Sequence, residues 1–155
     1  IHGTYPDLQV DAHERPILMI TIVGNVISNP EALTQISQRI QENGGRILSL
    51  TADDRATILY LEGKSIEVLN EVHALISSTT YLKAISEYEN LALITVKGSG
   101  LEVIPGVIEK VTSPLAKKGI NIYGLLTIHS SIGILVNWER EEEASNSIKE
   151  VFGVA

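Results

Sequence analysis

The sequence predicts an α+β fold made of two βαββαβ units, each with an antiparallel sheet and both helices on one face, the first unit inserted in the second. Three observations predict it. The chain repeats itself, Ile20-Thr21-Ile22-Val23-Gly24 recurring as Ile94-Thr95-Val96-Lys97-Gly98. Short β-branched runs and stretches of helical spacing follow in the same order in each copy. The second copy ends one strand short, while an unassigned strand-like segment stands at the N-terminus.

The repeat reaches far past its first strand. After a one-residue shift Pro30 meets Pro105, Leu33 meets Ile108, Ile36 meets Val111, Ile40 meets Leu115, Gly44 meets Gly119 and Ile47 meets Ile122. A further single shift pairs Ile58 with Ile134, Val68 with Ala144, Val72 with Ile148 and Ile76 with Phe152.

Residues 17–23 and 91–97 are apolar, β-branched runs of strand length. Residues 30–43 carry Leu33, Ile36 and Ile40 on one helical face; Asn29 offers an N-cap, Pro30 suits the first helical position and Gly44 a left-handed stop. Residues 105–118 repeat this with Val107, Ile108, Val111 and Leu115, ending at Gly119. Pro114 removes one hydrogen bond from that helix and should kink or shorten it. Residues 46–51 and 120–127 read as second strands, 56–61 and 131–137 as third strands, with Asp53-Asp54 as the hairpin turn in the first copy. Residues 65–76 and 140–152 read as second helices, and the acidic run from Glu139 to Glu143 suits the start of the latter. Residues 82–89 close the first copy as its fourth strand. Nothing closes the second, and an open sheet edge is a liability. Residues 3–11, with Tyr5, Leu8 and Val10, fill the gap if they pair with the sheet of copy two. The expected division is unit one at 14–90 and unit two at 91–155, completed by a strand from 1–13. This is the ferredoxin-like arrangement.

Composition narrows the function. A chain of 155 residues, 44% hydrophobic and 20% charged, can bury a sizeable core. A net charge of −7 opposes non-specific binding to nucleic acid or anionic lipid. The absence of cysteine removes thiol catalysis and thiolate metal sites, and fits a reducing compartment; the expected location is cytoplasmic. No apolar run has the roughly 20 residues of a membrane span, and no signal peptide is visible at the start. The chain begins with Ile1 rather than Met, as processing, trimming or a fragment of a longer protein would each produce.

The stretch LALITVKGSGLEVIPGVIEKVTSPLAKKGINIYGLL resembles the ACT domain in its strand, glycine turn, Pro-Gly helix start and Gly119-Ile120-Asn121-Ile122 second strand. The whole chain is similar to the tandem ACT region at the C-terminus of aspartokinases, and Gly3-Thr4 resembles the Gly-Thr that follows the kinase domain there. In that family the second unit is interrupted by the first. The resemblance implies a regulatory amino-acid-binding module for feedback control of aspartate-family amino-acid biosynthesis. The effector would be lysine, threonine or methionine. This chain alone would be non-catalytic, with no cofactor, and its partners would be a second copy in a homodimer and an aspartate kinase (transferase) catalytic domain in the same or another chain. The alternatives are a stand-alone ACT amino-acid sensor and a ligand-free dimerisation module. Copy one departs from the pattern at Pro30-Glu31 and Gly45-Arg46, and copy two at Thr127-Ile128-His129-Ser130-Ser131.

Gly98-Ser99-Gly100 lacks the third glycine of a dinucleotide fingerprint, and no Gly-Lys-Ser/Thr is present. The turn reads as a plain corner, a phosphate site or, because N–H groups at a helix start attract anions, a site for an amino-acid carboxylate. The resemblance places an effector between the first loop and helix of one unit and the second strand of a partner unit. On this chain that means Ser99, Gly100, Leu101, Glu102, Pro105, Gly106 and Val107 with Asn121 and Ile122. Asn25, Ser28 and Glu31 are the polar candidates in the matching loop of copy one. No catalytic residues and no metal ligands are expected: His2, His13, His73 and His129 are scattered, and His129 is the one worth testing.

Overall fold

The computed structural model describes residues 7–62, 65–77, 82–101 and 104–154. In chain order the elements are β1 (Gln9–Ala12), β2 (Ile17–Gly24), α1 (Pro30–Glu42), β3 (Arg46–Ala52), β4 (Ala56–Glu62), α2 (Ser65–Ser77), β5 (Leu82–Lys97), α3 (Val107–Lys117), β6 (Gly124–Ile128), β7 (Ser131–Asn137), a one-turn 3-10 helix (Trp138–Arg140) and α4 (Glu141–Phe152). Two compact units emerge, Ile17–Asn90 and the residues on either side of it. The first is inserted in the second.

The inserted unit has the strand order β3-β4-β2-β5, with β2 and β3 both antiparallel to β4. Alternation puts Leu18, Ile20, Ile22, Leu59 and Leu61 on one sheet face. There they pack with Ala32, Ile36 and Ile40 of α1 and Val72 and Leu75 of α2. Asp53 makes the β3–β4 corner: its Oδ1 accepts the N–H groups of Arg55 and Ala56 at 2.7 and 3.0 Å.

The outer unit orders its strands β1-β5-β7-β6. β1 runs antiparallel to the later part of β5, Gln9 opposite Lys97 and Ala12 opposite Ile94. β7 takes the other edge of β5 from Leu91↔Asn137 to Lys97↔Ser131, and β6 pairs with β7. The N-terminal segment thus supplies this sheet with a fourth strand. Its core joins Val10, Ala92, Ile94, Val96, Ile132, Ile134 and Val136 to Val111 and Leu115 of α3 and Ala144, Ile148 and Phe152 of α4. Three pairs of positions matched by the repeat are buried alike: Ile36 with Val111, Ile40 with Leu115, Val72 with Ile148.

Several expectations change. Residues 82–89 and 91–97 are one continuous strand, β5, which serves both units. Asn29 occupies the cap position of α1, but its side chain bonds backward to the Asn25 carbonyl at 2.7 Å instead of capping. Pro105 and Gly106 precede α3, which starts at Val107 because Gly106 takes a left-handed conformation (φ 72°). The helix then runs on through Pro114. The second strand of the outer unit begins at Gly124, not at residue 120. Ile120 is spent on the helix stop, its N–H bonded to the Leu115 carbonyl at 2.9 Å and Gly119 at φ 66°. α1 ends the same way, with Gly45 bonded to Ile40 and Gly44 at φ 83°.

Candidate functional site

The glycine turn that follows β5 is fastened on both sides. Gly98 donates its N–H to the Ser130 carbonyl at 3.0 Å, which ties the turn to the β6–β7 hairpin. Its own carbonyl accepts from Leu101 at 3.2 Å, and Gly100, at φ 71°, turns the chain back. A Cβ on Gly98 would lie 3.0 Å from Leu8 Cδ1 and 3.4 Å from Leu8 Cα. The missing side chain lets the segment entering β1 lie directly against the turn.

That segment brings a carboxylate. Asp7 Oδ2 accepts the Ser99 N–H at 3.0 Å. Hydrogen bonds from the Ser99 hydroxyl, then from its N–H, hold the Asp7 carboxyl below the ordinary aspartate value of 3.8. The group is fully exposed, so this is a surface contact made by directed hydrogen bonds rather than by burial. The turn therefore holds an anion, and that anion belongs to the chain.

Beside the turn lies a hollow of about 330 Å³. Leu101, Val107, Ile108 and Ile132 give it an apolar floor and wall; Thr127, His129 and Ser131 give it a polar edge. Leu101, Val107 and Ile132 are also members of the unit's core, so the floor is as fixed as the core. His129 sits at the hairpin tip in a left-handed conformation (φ 50°), which histidine adopts more readily than most residues. An apolar floor with a few hydroxyl and imidazole groups at the rim suits a small amphipathic molecule.

Residues 86–150 match the family model of the ACT domain. The strand order and helix placement agree with it. The fold is that of ACT units. Solved structures say the same. Aspartate kinase from Clostridium acetobutylicum superposes with a TM-score of 0.76 at 19% identity, over 97% of this chain and 35% of that one. The regulatory subunit of aspartate kinase from Thermus thermophilus, in its ligand-free form, gives 0.70 at 17% identity, over 97% of this chain and 99% of that subunit. Aspartokinase III of E. coli, in complex with lysine and aspartate, gives 0.65 at 16%, over 92% of this chain and 32% of the enzyme. The chain thus spans about a third of the length of the complete kinases and nearly all of the separate regulatory subunit. No curated protein sequence matches it.

Within the outer ACT unit, the hollow gathers Leu101 and Val107 of the expected residues. Ser99 and Gly100 form the turn, and Glu102 lies outside the described residues. Pro105 and Gly106 face elsewhere, lining a second hollow of about 460 Å³ with Glu109, Lys110, Ser113, Pro114, Lys117 and Val151. Asn121 is exposed, while Ile122 packs against the unit's own core. Sequence reasoning missed Thr127, Ser131, Ile108 and Ile132 in the first hollow, and Asp7 at the turn. His129, the histidine worth testing on sequence grounds, lines the hollow's edge.

In the inserted unit the matching loop is busy with itself. Asn25 Oδ1 accepts the Ser28 N–H at 3.1 Å, and the Asn29 N–H bonds to the Val26 carbonyl at 2.9 Å. Val26 is fully buried and Glu31 exposed. Of the polar side chains expected there, Asn25 holds the loop through the Ser28 N–H. Among the described residues no three His, Asp or Glu side chains lie together as a metal would need, and no helix is long and apolar enough to cross a membrane.

Proposed function

We propose that the chain is an amino-acid-binding regulatory module of the aspartokinase type, with lysine, threonine or methionine as effector. The outer unit, residues 91–155 completed by β1, holds the ligand. The observation that carries this reading is the turn at Ser99, which already binds a carboxylate through backbone and hydroxyl donors and stands beside an apolar hollow with a polar edge. An amino acid has the matching halves: a carboxylate for the donors and a side chain for the hollow. The ACT match and the likeness to aspartokinase regulatory regions, one of them from an enzyme in complex with lysine and aspartate, support it.

Regulation follows from differential binding. An effector that prefers one conformation of the module shifts a kinase domain, in the same or another chain, by at most its preference, typically about 1–3 kcal/mol. Homodimerisation through ACT units and a cytoplasmic, biosynthetic setting belong to the same proposal. Calorimetry with the twenty amino acids tests it. Saturable binding of one or a few, lost in Leu101→Asp, is expected; no heat from any of them at millimolar concentration would remove the sensor reading.

A second reading, a ligand-free dimerisation module, draws on β6, an edge strand of only five residues with Leu125 exposed. It predicts dimers whose melting temperature no amino acid changes.

A further inference from the structure

We propose that Asp7 is a built-in competitor for the effector's carboxylate, so that effector binding at the turn and the Asp7 contact exclude each other. The inference rests on the amino-acid-binding reading above. Its basis is the occupancy of the Ser99 donors. The Asp7 carboxylate takes the Ser99 N–H at 3.0 Å and draws on the Ser99 hydroxyl as well. One N–H and one hydroxyl cannot serve two carboxylates at full strength, and two like charges on the same donors repel. A ligand carboxylate reaches Ser99 only when Asp7 leaves.

The surroundings give that exchange a consequence. Gly98 lies against Leu8, the residue after Asp7, where an added Cβ would stand 3.0 Å from Leu8 Cδ1. Leu8 belongs to the same core as Leu101, Val107 and Ile132, which floor the hollow. On its other side Gly98 is bonded to Ser130, next to His129 at the hollow's edge. The turn therefore sits between the chain's entry into the outer unit and the hollow. Asp7 is exposed and held by hydrogen bonds alone, whereas Leu8 is buried. The exchange frees the Asp7 carboxylate while β1 stays paired. Effector occupancy is read out as loss of the Asp7–Ser99 contact.

The test uses the full chain with lysine, threonine and methionine, and with their α-amides, which lack the carboxylate charge. Kd is measured by calorimetry for the wild type, Asp7→Ala and Asp7→Asn, with thermal melting as the check on folding. The expected result is about tenfold tighter binding of the amino acid to Asp7→Ala, a smaller gain in Asp7→Asn, whose amide oxygen still accepts from Ser99, and no gain for the α-amide. Equal affinity in wild type and Asp7→Ala, weaker binding in the variant, or an equal gain for the α-amide each overturns the competition while leaving amino-acid binding intact. Absence of binding to every protein tested removes the underlying reading, and the competition with it.

Discussion

Asp53 and Asp7 are the same chemical group doing similar work at opposite ranges. Asp53 accepts from Arg55 and Ala56, two and three residues on. These backbone bonds, Arg55 first, hold its carboxyl below 3.8. A carboxyl lowered in the folded state adds stability above its unfolded value and loses it as pH falls through the folded value. Asp53→Ala should therefore melt below the wild type at neutral pH, and the gap should close as pH falls below 3.8; a gap that stays constant with pH would contradict the assignment. The sequence shows this corner because the Asx turn is local. It does not show Asp7, whose partner lies 92 residues away and whose role depends on two strands being neighbours. The hollow was hidden for the same reason: Thr127 and Ser131 flank a hairpin tip, and only the fold brings that tip to Leu101 and Val107.

Elements were legible where apolar spacing governs them and shifted where a cap or a neighbour does. Helices α1 and α3 follow their buried residues, Ile36 and Ile40 or Val111 and Leu115, and end at Gly44 and Gly119, whose positive φ the stop requires. The late start of β6 has a tertiary cause in part. Arg140 reaches back from the 3-10 helix to the end of α3, donating to the Gly119 carbonyl at 3.1 Å and the Lys118 carbonyl at 3.0 Å, while Glu143 accepts from it at 2.9 Å. A cation on otherwise unpaired helix carbonyls is favourable. Because the pair is partly exposed, Arg140→Ala should cost only about 1 kcal/mol. Thermal melts check that figure, and faster amide exchange at Ile120 in the variant would place the loss at the helix stop.

At the scale of the whole molecule the repeat carried the architecture. Once two copies are aligned, the missing strand of the second is visible, and the N-terminal segment is the candidate to supply it. β1 in the structure occupies that edge of β5. Deleting residues 1–11 should expose the edge and loosen the outer unit more than the inserted one. Hydrogen exchange decides it: faster exchange along Ile94–Lys97 with protection kept along Leu18–Val23 is expected, and equal loss in both would contradict the pairing. Leu93 and Gly133 show what the repeat leaves unread. A Cβ at Gly133 would stand 3.2 Å from Leu93 Cδ1, a close fit that no periodicity announces.

The interleaving of the units also sets a timetable for synthesis. Ile17–Asn90 is one unbroken stretch, and its sheet and both helices are complete when Asn90 has left the ribosome. β1 is made before the inserted unit yet waits for the Ile94–Lys97 part of β5, and α4, which closes the same core, follows later still. Domains fold as units while the chain emerges. The inserted unit should resist protease on nascent chains stalled well beyond Asn90, while β1, made before it, still waits for its partner strand.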